Sequence, residues 1–471
     1  ALFSVFQCAA YAQSVPEIAA DTHGGWTAQV DVAESGYYDI TAECKNDSVE
    51  ASCYLYGESN DATRAATVIP KTVYGNESYA SEDGYVTVSV RGVYVEDGKL
   101  DIGLYTDGVS DVYTKNVNVT KADGPYEFLN GGDITEYSYI KSLGGKYSDL
   151  SENEVDAIDY LAQSGMNAAR IRLSNNPGKG RGDGTYYLPE GFQDEEDCLL
   201  LARKAKENGM KIVFTFNYSD YWSNGERQII PSDWVAQIKD ELGYDVKDPA
   251  FLNSMSAEQK TQIQNNLSKI IYDYTYDYMT RLKEQGTLPE YVSLGNEING
   301  GILFPFGNTF DANMNKDRFE LVYDNNIDEA NDIKCYEDWA GLTKMLNAGY
   351  DAVKAVSPDS QVIIHIANGS KDSVFTWFFD KYKNAGGKFD VIGASYYPFW
   401  SWNKIDVCKS FCDNISARYD KDIMIMETGF NFSPTKKDGS NGQLTPTTDD
   451  WIYKDIYPDT QSGHKAYMAD L

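Results

Sequence analysis

The sequence predicts an α/β protein, a (β/α)₈ barrel of the TIM type preceded by an all-β sandwich. Three observations predict it. Residues 26–120 alternate apolar and polar side chains with a period of two, between Gly/Asn/Asp turns. From residue 126 the rhythm becomes short apolar runs alternating with helical three- and four-residue steps. No glycine-rich dinucleotide loop follows an early strand, which argues against an open doubly wound sheet.

The sandwich strands are read at Val30-Asp31-Val32, Tyr38-Asp39-Ile40-Thr41-Ala42, Tyr85 to Val90, Leu100 to Leu104 and Val117-Asn118-Val119. Lys121-Ala122-Asp123-Gly124-Pro125 breaks the pattern, so the sandwich is assigned to residues 1–125 and the barrel to residues 126–471. Barrel strands are expected at Phe128 to Ile134, Asn167 to Leu173, Lys211 to Phe216, Tyr291 to Leu294, Gln361 to Ile366, Phe389 to Ser395 and Asp422 to Met426. The clearest helix places Ile263, Leu267, Ile270, Ile271, Tyr274, Tyr278 and Leu282 on one face. This makes seven strands, and the chain reads as ending inside a seventh helix, Gly463 to Leu471, with the eighth strand apparently missing.

Composition narrows the chemistry. With 72 acidic against 41 basic residues the formal net charge is −31, which disfavours nucleic acid and anionic lipid and favours a neutral or cationic ligand. Three histidines are too few for a histidine-built zinc site of the common hydrolase type, and with 36 tyrosines the lean is towards carboxylate chemistry on a neutral, aromatic-loving substrate. No run of about 18 apolar residues predicts a membrane span. Seven cysteines form no CxxC; Cys44 and Cys53 are placed to meet across a hairpin, and the remainder are expected as small buried hydrophobes. The start, Ala1-Leu2-Phe3-Ser4-Val5-Phe6, reads as a processed or cropped end, and a secreted or cell-surface protein is expected.

Barrel active sites collect at the C-terminal ends of the strands. The fourth predicted strand runs into Gly295-Asn296-Glu297-Ile298-Asn299 and the seventh into Glu427-Thr428. Two carboxylates closing two apolar strands are the equipment of a glycosidase: one protonated to release the leaving oxygen, one ionised to attack the anomeric carbon. Singly, each is also a plain strand-end carboxylate satisfied by loop amides.

The chain is similar to glycoside hydrolase family 53, the endo-β-1,4-galactanases, over residues 128–471. The matching stretches are Gly132-Asp133-Ile134-Thr135, Gly145-Lys146-Tyr147, Asn167 to Arg172, Tyr218-Ser219-Asp220 with Trp222, Gly295 to Asn299, Ile363 to Ile366, Trp377-Phe378-Phe379, Asp390 to Gly393, Ser395 to Phe399 and Glu427-Thr428. The resemblance implies a retaining endo-β-1,4-galactanase acting on the galactan side chains of pectin (arabinogalactan type I), with Glu297 as acid/base and Glu427 as nucleophile. It further implies that Asn296 binds the 2-hydroxyl, that Arg170 and Tyr397 hold the nucleophile, and that no cofactor is required. Asn217, Asp220, Trp222, His365 and Trp400 are supporting candidates, with Asp133, Phe399 and Trp402 beside them; Trp339 and Trp377 are read as core.

Departures from the family pattern are Asn217 in place of a histidine, and Ser174 and Phe304 in place of tryptophans. They motivate a second expectation, the same retaining chemistry on another neutral β-glycan. A third, a glycan-binding protein without turnover, follows from the absent eighth strand and its Phe-Tyr-Trp-Glu-Pro-like end. Asp438 and Asn441 are weak calcium candidates, two oxygen donors where calcium takes six to eight. The sandwich resembles accessory carbohydrate-binding modules such as family 61, with Trp26 and outward tyrosines as platforms.

Overall fold

The computed structural model describes residues 13–14, 22–46, 53–59, 64–68, 84–96, 98–106, 111–122, 124, 129–149, 151–179, 186–225, 227–314, 333–435, 439, 444, 452–453 and 456–471. Period-two alternation in the N-terminal region yields two antiparallel sheets. One has the order Gln13–Ser14, Val112–Ala122, Gly36–Asn46, Val86–Val95, with Thr22–His23 also on Val112–Ala122. The other has the order Trp26–Asp31, Lys99–Tyr105, Tyr54–Ser59, Arg64–Val68. Strand Gly36–Asn46 shows the cause: Tyr38, Ile40, Ala42 and Cys44 are buried, and the residues between them are not. These side chains meet Leu55, Val90, Leu100 and Ile102 of both sheets in one core. Cys44 and Cys53 are both buried there and are not joined, so the hairpin disulfide is not formed; burial, the leading cause, pushes the Cys44 thiol up to about 12.

The remainder is built on a parallel sheet of seven strands in sequential order: β1 (Gly131–Asp133), β2 (Ala168–Leu173), β3 (Lys211–Phe216), β4 (Tyr291–Leu294), β5 (Gln361–Ile366), β6 (Val391–Ser395) and β7 (Asp422–Glu427). All seven fall within the expected segments to a few residues. Their apolar runs follow from burial on both faces, the condition of a parallel sheet covered by helices. Outward side chains such as Ile171, Phe214, Ile364 and Ile392 join a core with the helices, while Val213, Ile363, Val391 and Met426 pack in the lumen. Among the described residues β1 and β7 pair on one side only, and a cleft opens between them.

The predicted amphipathic helix is Ala257–Gln285. A capping box of Ser256 and Gln259 starts it, and Gly286, at φ 79° in the left-handed region, ends it. The sandwich meets the foot of the barrel at Arg91, whose guanidinium lies 3.3 Å from Asp420 and 3.2 Å from Asp422.

Two local features aim the barrel at its C-terminal mouth. Met424 and Met426 both pack in the lumen, so strict alternation would turn Glu427 outward. A register shift between Ala394 and Ser395 instead pairs Ser395 with Glu427 and skips Met426, which brings the carboxylate to the lumen as well. Beneath it, Gly393 leaves the necessary room: a Cβ there would lie 2.8 Å from Ile363, 2.9 Å from Met426 and 3.0 Å from His365.

Candidate active site

Arg170 and Arg172 are two apart on β2 and so share its inward face, buried in the lumen. Arg170 Nη1 donates to Glu427 Oε1 at 2.8 Å, and its Nη2 donates to Asn296 Oδ1 at 2.6 Å. Arg172 Nε sits 2.9 Å from Asp133 Oδ2, off the hydrogen-bond axis, so that contact is an ion pair. The Arg172 guanidinium also covers the Trp222 ring, 4.7 Å from its centroid. Tyr397, past β6, donates to Glu427 Oε2 at 3.2 Å.

The loop after β4 delivers the second carboxylate through strained backbone. Gly295 has φ 86° and Glu297 itself φ 50°, a conformation a non-glycine residue keeps only when its surroundings hold it. The holding groups are visible: Asn296 Nδ2 donates to the Ser223 carbonyl at 2.8 Å, and Gln228 Nε2 donates to the Asn296 carbonyl at 2.9 Å. Asn299 is clamped to Ala367, accepting from its N–H at 2.6 Å and donating to its carbonyl at 3.1 Å.

The two carboxylates are driven apart electrostatically. Burial, followed by the charge of Glu427, pushes the Glu297 carboxyl up to about 7. Burial acts on Glu427 in the same sense, but the charge and hydrogen bond of Arg170, with the charge of Arg172, overcome it and hold that carboxyl below the usual range. An oxygen of Glu297, an oxygen of Glu427 and a ring nitrogen of His365 lie within 4.8 Å of one another. This is the one grouping among the described residues whose spacing would also suit a metal ion. Its donors are already committed, Glu427 to Arg170 and Tyr397 and His365 Nε2 to Ser395, and a dication would face the Arg170 guanidinium. The set therefore fits acid–base chemistry better than metal ligation.

A cleft compartment of about 430 Å³ lies over the pair, lined by Trp222, Asn224, Asn368, Ser395, Tyr397 and Trp400 beside Glu297 and Glu427. It adjoins a second of about 510 Å³ that opens between β1 and β7 and is lined by Asp133, Arg170, Arg172, Trp222, Tyr397 and Glu427 among others. Trp400 is 50 % exposed, a ring face open to a ligand.

The profile of glycosyl hydrolase family 53 matches residues 129–264 and 248–471. The chain belongs to glycosyl hydrolase family 53. It is a glycoside hydrolase, and its relatives agree. The arabinogalactan endo-beta-1,4-galactanase of Thermothelomyces thermophilus is 27 % identical over 310 residues, 64 % of this chain and 74 % of that protein. The endo-beta-1,4-galactanase of Bacillus subtilis (strain 168) is 22 % identical over 364 residues, 77 % of this chain and 70 % of the other. Among solved structures, the Ignisphaera aggregans GH53 catalytic domain superposes with a TM-score of 0.56 at 28 % identity, covering 74 % of this chain and 81 % of that one.

Of the residues singled out in the sequence of this family 53 hydrolase, Glu297, Glu427, Arg170, Asn296, Tyr397, Trp222, Trp400 and Asp133 come together at the cleft. Asp220 does not: it is a scaffold residue, accepting from Ser232 N at 2.8 Å, Ser232 Oγ at 2.5 Å and Asn176 N at 3.1 Å. His365 lies behind Ser395, fully buried. Asn217 and Ser174 are buried against each other, joined at 3.2 Å, and Phe304 is buried elsewhere, so none of the three departures lines the cleft. Phe399 packs into a side cluster near Tyr396, and Trp402 is 44 % exposed outside both compartments. Trp339 and Trp377 pack edge to face, 5.5 Å between centroids, against the core. Asp438 and Asn441 lie outside the described residues. Sequence reasoning missed Arg172, Ser395, Gln228 and Ser223. The two-residue step from Arg170 could have found Arg172, and the strand-end position of Ser395, shared with Glu427, could have found that serine.

Proposed function

We propose that this hydrolase is a retaining endo-β-1,4-galactanase that cleaves the β-1,4-galactan side chains of pectic arabinogalactan by double displacement. One observation carries the reading: two carboxyl groups within 4.8 Å, one held ionised by Arg170 and one kept largely protonated by burial. Retaining enzymes hold their pair about 5–5.5 Å apart, whereas inverting enzymes need about 6.5–9.5 Å to fit a water. The galactan itself is supported by what the relatives are named for.

In the first step Glu427 attacks the anomeric carbon while Glu297 gives its proton to the departing glycosidic oxygen. In the second, Glu297, now a carboxylate, takes a proton from water, and that water displaces Glu427. Tyr397 and Arg170 hold the nucleophile in line, and the second Nδ2 hydrogen of Asn296 serves the 2-hydroxyl. Trp222 and Trp400 offer ring faces to the apolar face of galactose. We read residues 1–125 and 126–471 as two domains of a secreted enzyme, because a cell-wall polymer is met outside the cell. Tyr54 and Tyr105, stacked at 4.8 Å, stand with Tyr56 on one outer face of the sandwich and support a glycan-binding role for it.

Reducing-sugar release from potato or lupin galactan, beside xylan and mannan, tests the substrate. Proton NMR of the earliest product tests the stereochemistry. Galactan cleavage with the β-anomer appearing first is expected; release from mannan or xylan alone, or an α-anomer first, overturns the reading.

A further inference from the structure

We propose that Ser395, backed by His365, is a positioning residue for Glu297, a fixed hydrogen-bond donor that keeps this carboxyl able to ionise after it has given up its proton. The inference rests on Glu297 being the acid/base. Ser395 closes β6, is buried, and lines the cleft beside both carboxylates. Its Oγ lies 2.8 Å from His365 Nε2, a Glu297 oxygen lies within 4.8 Å of a His365 ring nitrogen, and Ser395 and Glu297 line the same compartment, so the serine hydroxyl faces that carboxyl and acts on it to favour the ionised form. Ser395 is thus held between an imidazole and a carboxyl, and a hydroxyl has one proton to give.

His365 decides where that proton goes. The ring is fully buried, and burial, aided by Arg170 and Arg172, pushes its pKa down to about 3 against the pull of Glu427. It is therefore neutral at any pH where the enzyme works, with one N–H to place. Nδ1 is buried and has no hydrogen-bond partner among the described residues, whereas Nε2 faces Ser395 Oγ. A proton on Nδ1 would be a stranded buried donor, so it resides on Nε2 and is donated to Ser395. The serine hydroxyl is then left with Glu297 as its acceptor. This contact opposes the burial that drives Glu297 towards permanent protonation. An acid/base needs that balance, since it must be an acid in one step and a base in the next.

Ser395→Ala removes the donor, so the Glu297 carboxyl should titrate about one pH unit higher, the size expected of one hydrogen bond to a charged group. The alkaline limb of the kcat/KM profile should move up with it, and kcat should fall more than KM changes. Ser395→Thr, which keeps the hydroxyl, should restore the limb. His365→Leu frees the hydroxyl to rotate and should produce a smaller displacement in the same direction. Titration of the ¹³C-labelled glutamate carboxyls by NMR in the ligand-free chain, with Glu297 assigned by subtraction of Glu297→Gln, needs no substrate. Failure on galactan therefore overturns the substrate reading without touching this one. A Glu297 titration unmoved in both Ser395→Ala and His365→Leu, or a threonine variant displaced as far as the alanine, overturns the proposal.

Discussion

Arg170→Met isolates the charge that distinguishes the two carboxylates. The substitution keeps an unbranched apolar stem and removes a guanidinium 2.8 Å from Glu427 Oε1 and 2.6 Å from Asn296 Oδ1. At an effective dielectric constant of about 20, unit charges at 2.8 Å attract by 332/(20 × 2.8), about 6 kcal/mol gross, before desolvation is subtracted. Stranding a fully buried charge by deleting its partner costs about 3–5 kcal/mol, and the Glu427 side chain, part-buried at 12 % exposed, should fall at the lower end of that range. The sign with pH follows from linkage. In the parent the depressed Glu427 contributes stability that is present above its unfolded pKa, about 4.3, and lost as pH falls through the folded value. In the variant the folded pKa rises above the unfolded one, so the penalty is full at neutral pH and is relieved as pH falls. Thermal unfolding of both proteins from pH 4 to pH 8 should show a deficit that shrinks towards the acid end. The acid limb of kcat/KM should move upward in parallel, because the nucleophile must be ionised. An equal deficit at every pH, with an unmoved acid limb, would refute the reasoning.

Wild-type activity should decline as pH rises through about 7, where Glu297 loses the proton it must donate; a profile flat to pH 9 on galactan contradicts this. Glu297→Gln should abolish galactan hydrolysis yet leave a burst of aryl release from an aryl β-galactoside whose leaving group needs no proton, measured by stopped flow. Trp400→Ala removes a half-exposed ring over the cleft and should raise KM roughly two- to tenfold, the range of an aromatic contact of about 0.5–1.5 kcal/mol, with kcat nearly unchanged. Gly393→Ala places a Cβ 2.8 Å from Ile363 and 2.9 Å from Met426, so it should cost about 1–3 kcal/mol and lower kcat by tilting the floor under Glu427; an unchanged melting temperature would show that the floor yields.

The barrel strands were legible because burial on both faces leaves a run such as Gln361–Ile366 almost wholly apolar, a signal read without any partner. Glu297 and Glu427 were legible for the complementary reason, since each interrupts such a run where a barrel places its chemistry. Short-range pattern failed where two strands had to be compared. Asp220 and Trp222 stand two apart in one loop, yet one is tied to Ser232 and the other stacks on Arg172 at the cleft. Asn217, Ser174 and Phe304 read as losses from a binding surface and prove to be interior residues. Ser395 was quoted only as part of a motif, because its meaning depends on a histidine thirty positions earlier on the adjacent strand.

By itself the sequence determined the class of fold, the order of its strands and the two carboxylates that close the fourth and seventh of them, since these depend on periodicity and local polarity. Which carboxylate is the acid and which the anion followed from the sequence only through the family resemblance; its physical cause lies in the tertiary structure. That assignment is a difference in electrostatic environment, made by Arg170 from one strand, Tyr397 from another, and a register shift that turns Glu427 into the lumen. Charges separated by more than a hundred residues along the chain become neighbours only when the sheet closes around them.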